Sequence, residues 1–284
     1  MDFAGKTAVI TGGSTGIGKA LAAGLAAQGM RVVIASTSSE RLEAAAADLR
    51  EGGAEVTTVV CDVADRDSVR ALAARVEREF GGTDLLCANA GATTTGPYLD
   101  HGDGDWDWVM DTVLRGVTNC VQAFYPAMAA RGSGQFLITG SQTGFAPGWL
   151  LNHGPYVVAK AAVHALAMAL RPEAELHGVG VSLLVPAMTE TEITQAGQRS
   201  RPGRYGAARP SADLGVVAGS ATPLPDHPRS LTAAEVAERA IAGLKRNEAI
   251  IATHSGMKPI VEDYARQILA PYDAAVEFRS ERVS

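Results

Sequence analysis

A tyrosine and a lysine spaced four residues apart, Tyr156 and Lys160, are the pair best suited to proton transfer in this sequence. Side chains four apart lie on one face of a helix, so the phenol and the ammonium can point at the same place. A free phenol titrates near pH 10, and a cation about 4 Å away favours the phenolate by roughly 4 kcal/mol at an effective dielectric of 20. The spacing therefore predicts a general acid or base at Tyr156. The alternative is an ordinary amphipathic helix with a lysine on its surface.

The elements that would position this pair alternate between strands and helices. Short apolar runs predict strands at residues 6–10, 31–35, 55–60, 84–88, 135–139, 179–185 and 249–252. This alternation indicates an α/β fold, a Rossmann-type doubly wound parallel sheet in a single domain over residues 1–284. The aperiodic stretch 187–230 is expected to be a substrate-binding loop or lid. Residues 253–284 form a C-terminal extension, with a predicted helix interrupted at Pro271.

A glycine-rich turn follows the first predicted strand, because residues 11–18 read T-G-x-x-x-G-x-G. Glycine lets the backbone turn tightly and lets a phosphate approach bare N–H groups, and the following helix N-terminus adds about half a positive charge. A turn of this kind between the first strand and first helix of a βαβ pattern predicts a dinucleotide site.

The end of the second predicted strand indicates which dinucleotide is bound. No Asp or Glu stands there, where an NAD enzyme usually binds the ribose hydroxyls. The hydroxyls of Ser36, Thr37 and Ser38, with Arg41 one turn away, could hold the 2′-phosphate of NADP. We therefore expect NADP(H) in preference to NAD(H). The alternative is that these serines cap the helix that starts near Ser39.

Polar residues also stand at the ends of other strands. Asp62 could accept a hydrogen bond from an adenine amino group or cap the helix that follows it. The segment 89–91, Asn-Ala-Gly, suits a wall for a flat ring or a plain β-turn. Ser141 follows the strand at 135–139 and is expected to face the crevice in which open α/β sheets bind ligands.

Composition limits the partners of the chain. The 284 residues carry a net charge of −6 with a pI near 5.5, which argues against nucleic-acid and anionic-membrane surfaces and favours a small-molecule partner. No apolar run approaches the length of a membrane span. The three cysteines, Cys61, Cys87 and Cys120, are widely spaced and odd in number. They indicate buried free thiols in a reducing cytoplasm, and no metal site is expected.

Together, the glycine turn, Asn89-Ala90-Gly91, Ser141 and the Tyr156/Lys160 pair resemble the short-chain dehydrogenase/reductase family over residues 5–252. The resemblance implies a nicotinamide cofactor, hydride transfer between it and a ketone or secondary alcohol, and a homodimer or homotetramer. It also implies that Tyr156 exchanges a proton with the substrate oxygen, that Ser141 holds that oxygen, and that Lys160 bonds the nicotinamide ribose and lowers the pKa of Tyr156. The implied cofactor-binding residues are Gly12, Ser14, Thr15, Gly16, Ile17, Gly18, Ser36, Thr37, Ser38, Arg41, Asp62, Val63, Asn89, Ala90, Gly91, Tyr156, Lys160, Pro186 and Thr189.

Two features depart from the family pattern. Members commonly carry an Asn that supports a water chain to the Lys, and here Val113, within a long helix predicted over 106–131, takes that place. Proton resupply is then expected to be slower or to use another route, such as backbone carbonyls. The spacing from Ser141 to Tyr156 is also two residues longer than usual, which could reshape the substrate mouth.

The remaining candidates concern the substrate. The segment 201–206 resembles a bacterial subgroup that includes dehydrogenases of aromatic benzylic alcohols, and this resemblance implies a bulky or aromatic substrate. Candidate contacts, each with a solvated-loop alternative for its charged or polar members, are Trp149, Leu150, His153, Arg199, Arg204 and Tyr205. A catalytically impaired sensor or scaffold, motivated by Val113, and an epimerase or dehydratase with a bound cofactor are the alternative functions.

Overall fold

Seven parallel strands form the central sheet of the computed structural model, which describes residues 2–191, 193, 200–207 and 230–281, with 273–281 described by their backbone alone. The order across the sheet is β3-β2-β1-β4-β5-β6-β9. The sheet therefore winds outward from β1 in both directions, and the predicted doubly wound Rossmann-type fold is confirmed. Its strands are β1 (Thr7–Thr11), β2 (Arg31–Ser36), β3 (Val56–Val60), β4 (Leu85–Ala88), β5 (Gly134–Thr139), β6 (Val179–Val185) and β9 (Ile250–Ala252).

Helices cover both faces of this sheet. In β1, Val9 joins one hydrophobic core, whereas its neighbours Ala8 and Ile10 join the other. Successive side chains of a strand point to opposite faces, so a strand buried on both sides is apolar throughout. The helices are α1 (Gly16–Ala26), α2 (Ser39–Glu51), α3 (Arg66–Phe80), α4 (Asp103–Val109), α5 (Gly116–Arg131), α6 (Gly154–Glu175), α7 (Ala233–Lys245) and α8 (Lys258–Glu281).

Two helices differ from the sequence prediction. The long helix predicted over 106–131 begins at Asp103, and its middle, Met110–Arg115, is a π-helical turn that contains the buried Val113. The helix predicted to be interrupted at Pro271 instead continues through it. That interruption was wrong, because a proline inside a helix removes one backbone hydrogen bond and need not end the helix where its neighbours are exposed to water.

The two ends of the predicted loop 187–230 lie next to each other. A short parallel pair joins β7 (Thr189–Glu190) to β8 (Leu231–Thr232), which no periodicity in the sequence indicated. A 3₁₀ turn, Gly203–Tyr205, lies between them in sequence. In the described part of the chain, no helix is long and apolar enough to cross a membrane.

Candidate active site

A cavity of about 420 Å³ opens at the carboxyl ends of the sheet strands. The glycine turn after β1 forms one part of its wall, and the segments after β2, β3, β4, β5 and β6 form the rest. Ligands of open α/β sheets bind in this position. The predicted site residues in the wall are Gly12, Ser14, Thr15, Gly16, Ile17, Ser36, Thr37, Arg41, Asp62, Val63, Asn89, Ala90, Gly91, Ser141, Trp149, Leu150, His153, Tyr156, Lys160, Pro186, Thr189 and Arg204.

Ser141 and Tyr156 meet at one end of this cavity and share a hydrogen bond. Ser141 lies two residues beyond β5, where its Oγ accepts from the Thr143 hydroxyl at 3.0 Å and from the Thr143 N–H at 3.3 Å. Its own N–H donates to Nε2 of His164 at 3.2 Å. These bonds fix the serine hydroxyl beside the phenol. An oxygen placed against both could exchange a proton with Tyr156 and accept a hydrogen bond from Ser141.

Lys160 is buried, so the alternative of a surface lysine is wrong. Its side chain is 3% exposed, and Nζ donates to the Thr139 carbonyl at 2.6 Å while lying 5.5 Å from the centre of the Tyr156 ring. Burial lowers the pKa of Lys160 to about 7 and raises that of Tyr156 to about 12, with Ser141 acting in the opposite direction. The expected lowering of the Tyr156 pKa is therefore absent from this structure, because removal from water outweighs the hydrogen bond with Ser141.

His153 lies against the catalytic candidates and does not face solvent. Its ring stacks on Tyr156 with centroids 4.5 Å apart and planes 11° apart, and Nε2 is 2.6 Å from the Thr93 hydroxyl. Burial, and secondly His101, lower the pKa of His153 to about 4, so the imidazole is neutral at physiological pH. The alternative of a solvated loop histidine is thus wrong.

His164 and Thr93 are neighbours of the site that the sequence analysis missed. Burial, and secondly Lys160, lower the pKa of His164 to about 4, which leaves Nε2 free to accept from Ser141. Residues 156, 160 and 164 stand one helical turn apart in α6, so an i, i+4, i+8 pattern could have revealed this histidine. Nothing in the sequence pointed to Thr93, which lies sixty residues from its partner.

The nucleotide end of the cavity is a cradle of bare backbone. Gly12 and Gly16 have φ of 65° and 52°, and a Cβ on Gly12 would lie 2.9 Å from the Cα of Ala90. Gly18 packs beneath the turn, where a Cβ would lie 2.2 Å from the Gly12 carbonyl oxygen. Thr15 caps α1 without a side-chain hydrogen bond, so the N–H groups of the first turn keep their capacity to bind an anion.

Of the three hydroxyl residues at the end of β2, one caps α2 and two line the cavity. Ser38 caps α2 by accepting from the Arg41 N–H at 3.3 Å, whereas Ser36 and Thr37 line the cavity together with the Arg41 side chain. Ser14 donates to Ser36 at 3.1 Å, which links the glycine turn to this strand end. Within the described residues, no acidic side chain pairs with Arg41. The capping alternative thus holds for Ser38 alone.

Asp62 does not cap the following helix, because Asp65 does. One Asp62 oxygen accepts from the Ala64 N–H at 3.0 Å, and the other accepts from Nη2 of Arg204 at 2.8 Å. Tyr205 is absent from the cavity wall, since it is buried against Trp108 and bonded to Asp111 at 3.0 Å. The pocket-wall expectation for Tyr205 was wrong, and Arg199 lies outside the described residues.

Residues 6–201 match the sequence model of the short chain dehydrogenase family. The chain belongs to this family. It is 31% identical over 286 residues to the C alpha-dehydrogenase of Sphingobium sp. (strain NBRC 103272 / SYK-6), an alignment that covers 99% of this chain and 92% of that relative. A short chain dehydrogenase/reductase from Burkholderia phymatum in complex with NAD has a TM-score of 0.83 and 29% identity over 96% of both chains. A metagenomic short-chain oxidoreductase in complex with NADP has a TM-score of 0.62 and 31% identity over 66% of this chain and 84% of that chain.

This family member is accordingly an oxidoreductase that acts on CH–OH or C=O groups with a nicotinamide cofactor. The residues present fit such a cofactor, because the start of α1 lines the cavity and its first N–H groups are not capped by the Thr15 side chain, which suits a phosphate. Its π-helical turn includes Val113, whose side chain is fully buried and cannot bond water. Within that turn the Gly116 N–H bonds the Asp111 carbonyl, the i to i−5 pattern of π geometry, which is often found at functional sites.

Proposed function

We propose that this dehydrogenase interconverts a ketone and a secondary alcohol with Tyr156 as general acid and base. The observation that carries the proposal is the Ser141–Tyr156 hydrogen bond in a cavity that is also lined by the glycine turn and the uncapped start of α1. The cofactor supplies the hydride that reaches the carbonyl carbon during reduction. Tyr156 gives its proton to the carbonyl oxygen, Ser141 holds that oxygen, and oxidation reverses both transfers.

Lys160 would tune this proton transfer. With a pKa of about 7 it gains charge readily near neutrality, and an ammonium close to Tyr156 favours the phenolate. We propose that it also bonds the nicotinamide ribose. Val113 removes the usual side-chain partner of a water chain, so we propose that protons reach Lys160 through waters held by backbone carbonyls. The Thr139 carbonyl already accepts from Nζ.

We further propose that the cofactor is NADP(H) in preference to NAD(H). Ser36, Thr37 and Arg41 line the cavity after β2, and no acid stands at that strand end. Arg41→Ala is expected to weaken NADPH binding about ten-fold or more while leaving NADH binding nearly unchanged, since a charge-assisted hydrogen bond contributes about 1.5–3 kcal/mol. Arg50→Ala, on the exposed side of the same helix, is the matched control. Equal losses for both cofactors would contradict the preference.

The substrate is proposed to be bulky or aromatic. Trp149 and Leu150 line the cavity near the stacked rings of His153 and Tyr156, and a relative is named as a C alpha-dehydrogenase. Described residues of 187–230, among them Met188 and Ile193, contribute to the same wall, which supports the role of this stretch as a substrate loop. The extension 253–284 packs against a residue of the cavity wall, because its Met257 and Ile260 belong to one hydrophobic cluster with Trp149.

Replacement of the proposed acid tests the mechanism. Tyr156→Phe is expected to lower the turnover of aryl and alkyl ketones by roughly 10²–10⁴-fold while NADPH binding, followed by nicotinamide fluorescence, stays nearly intact. Tyr125→Phe is the control, since this exposed hydroxyl bonds a backbone carbonyl at 3.5 Å and Tyr125 does not line the cavity. A fully active Tyr156→Phe would refute the mechanism. Binding without turnover in the wild type would favour a sensor, and turnover without net NADPH consumption an epimerase or dehydratase.

Assembly and location complete the proposal. We propose a homodimer or homotetramer, supported by α6, on which Val158 remains 44% exposed. Light scattering of the purified protein tests this, and a monomer at micromolar concentration would contradict it. We also propose a cytoplasmic location, which suits three buried cysteines that are not joined by a disulfide.

A further inference from the structure

A short segment of the substrate loop, residues 201–206, is anchored firmly on α4. We name it the strap. Arg201 is 5% exposed, forms an ion pair with the equally buried Asp105, and lies 5.4 Å from the centre of the Trp108 ring. It also bonds the carbonyls of Tyr205 and Gly206 within the strap. These contacts hold the backbone of the strap at a fixed place on the fold.

The strap brings Arg204 to the edge of the cavity. Its Nη2 lies 2.8 Å from Oδ2 of Asp62, and its guanidinium carbon lies 4.7 Å from the centre of the Tyr205 ring. The Tyr205 hydroxyl is itself bonded to Asp111, so the ring beneath the guanidinium is held in place. Arg204 and Asp62 both line the cavity. They thus form a bridge between the substrate loop and the segment that follows β3.

The order of the strands shows how far this bridge lies from Ser141 and Tyr156. Asp62 stands two residues beyond β3, and Ser141 stands two residues beyond β5. The order β3-β2-β1-β4-β5 places four strand spacings between these two ends, which is about 19 Å at about 4.8 Å each. A group paired with Asp62 therefore lies far from the carbon that reacts beside Ser141 and Tyr156. It lies instead at the end where the adenosine of a dinucleotide would bind.

We propose that Arg204 is a cofactor-retaining residue, which closes the adenosine end of the cavity by pairing with Asp62. The inference rests on the proposed function, which places the reacting carbon at Tyr156. An Asp62 oxygen has two lone pairs, so Oδ2 accepts from an adenine amino group while still bound to Arg204. The cofactor then leaves only when the bridge opens. This proposal assigns Arg204 to the cofactor, whereas the sequence analysis gave it as a candidate substrate contact.

The expected effect follows from the exposure of the pair. The side chains of Arg204 and Asp62 are 52% and 29% exposed, and pairs of this kind contribute modestly because water screens them. Arg204→Gln is therefore expected to speed NADPH dissociation about two- to five-fold. NADH dissociation is expected to speed up by the same factor, since both cofactors carry adenosine. The KM of a ketone substrate at saturating NADPH is expected to stay unchanged.

Stopped-flow displacement of NADPH and NADH from the full-length protein measures these rates. Arg246→Gln, which breaks another exposed ion pair remote from the cavity, is the matched control. Asp62→Asn tests the other half of the bridge, and the double variant with Arg204→Gln is expected to show less than the product of the two single effects. Reduced nicotinamide mononucleotide, which lacks adenosine, is expected to bind wild type and Arg204→Gln equally.

Two results would overturn the inference. The first is an unchanged NADPH dissociation rate in Arg204→Gln, and a raised ketone KM beside it would make Arg204 a substrate contact. The second is an effect confined to NADPH, which would make Arg204 a phosphate ligand. NADPH binding and ketone turnover by the wild type depend on the proposed function alone, so they would survive the failure of the bridge.

Discussion

Replacing Lys160 with methionine is expected to stabilise the cofactor-free protein at pH 6 and to lose that advantage as the pH rises. The side chain is 3% exposed, and Nζ donates to the Thr139 carbonyl. Burial lowers the pKa of Lys160 from 10.5 to about 7. At about 1.4 kcal/mol per unit of pKa, the buried ammonium costs about 5 kcal/mol of unfolding free energy below pH 7. Methionine carries no charge into the same space.

The sign of the pH dependence follows from proton binding. Between pH 7 and 10.5 the unfolded chain holds the Lys160 proton more often than the folded chain does, so wild-type stability rises with pH. Methionine leaves the Thr139 carbonyl without its donor, which costs about 1–3 kcal/mol at every pH. The net gain for Lys160→Met is then about 2–4 kcal/mol at pH 6, and it falls by about 2 kcal/mol from pH 7 to pH 9.

Urea unfolding followed by circular dichroism at pH 6, 7, 8 and 9 measures this difference. Lys258→Met is the matched control, because that side chain is 77% exposed and its ammonium stays in water in both states. Its difference from wild type is expected to be small and independent of pH. A variant Lys160→Met that is less stable than wild type at pH 6, or a difference that does not change with pH, would refute the reasoning. Lys160 would then be charged and well solvated in the folded chain.

Three further predictions concern the described core and loops. Gly18→Ala places a methyl 2.2 Å from the Gly12 carbonyl oxygen. The variant is expected to lose about 1–3 kcal/mol of unfolding free energy, measured in urea, and to bind NADPH more weakly. An unchanged urea midpoint would contradict this prediction. Arg201→Ala removes the ion-pair partner of the buried Asp105 carboxylate, so a loss of about 3–5 kcal/mol of unfolding free energy is expected, part of which Asp105→Asn should restore in the same background. Burial raises the pKa of Cys87 and Cys120, so a thiol reagent such as dithionitrobenzoate is expected to modify them only in denaturant, and rapid reaction of the folded protein would contradict their burial.

Local spacing made the catalytic candidates predictable. Tyr156 and Lys160 share a helix face because they stand one turn apart, and Ser141 reaches the crevice because it follows a buried parallel strand. Neither fact depends on distant parts of the chain. Their electrostatics do depend on them, since burial by surrounding elements raises the pKa of Tyr156 and lowers that of Lys160. Spacing alone suggested the opposite change for the tyrosine.

Loop residues were less predictable, because their contacts join parts of the chain that are far apart in sequence. His153 was assigned either to the substrate or to solvent, and its burial depends on Thr93, sixty residues away. The docking of Arg201 on Asp105 joins residues 96 apart, and the bridge from Arg204 to Asp62 joins residues 142 apart. Turn chemistry and hydrophobic periodicity carry no information about such pairs. The sequence therefore predicted the sheet and its glycine turn well, and the path of the substrate loop poorly.

The cluster beneath Trp149 is separate from the core that holds the helix of Tyr156. Met257 and Ile260 pack there with Ala146, whereas Ala159 and Val163 of the catalytic helix belong to the main core. Changes near the C-terminus can therefore reshape the mouth of the cavity without disturbing the helix that carries Tyr156. A lineage that varies this part of the chain can change the mouth of the cavity at little risk to the position of Tyr156. For directed evolution, the same residues form a compact library whose members should stay folded and able to bind cofactor.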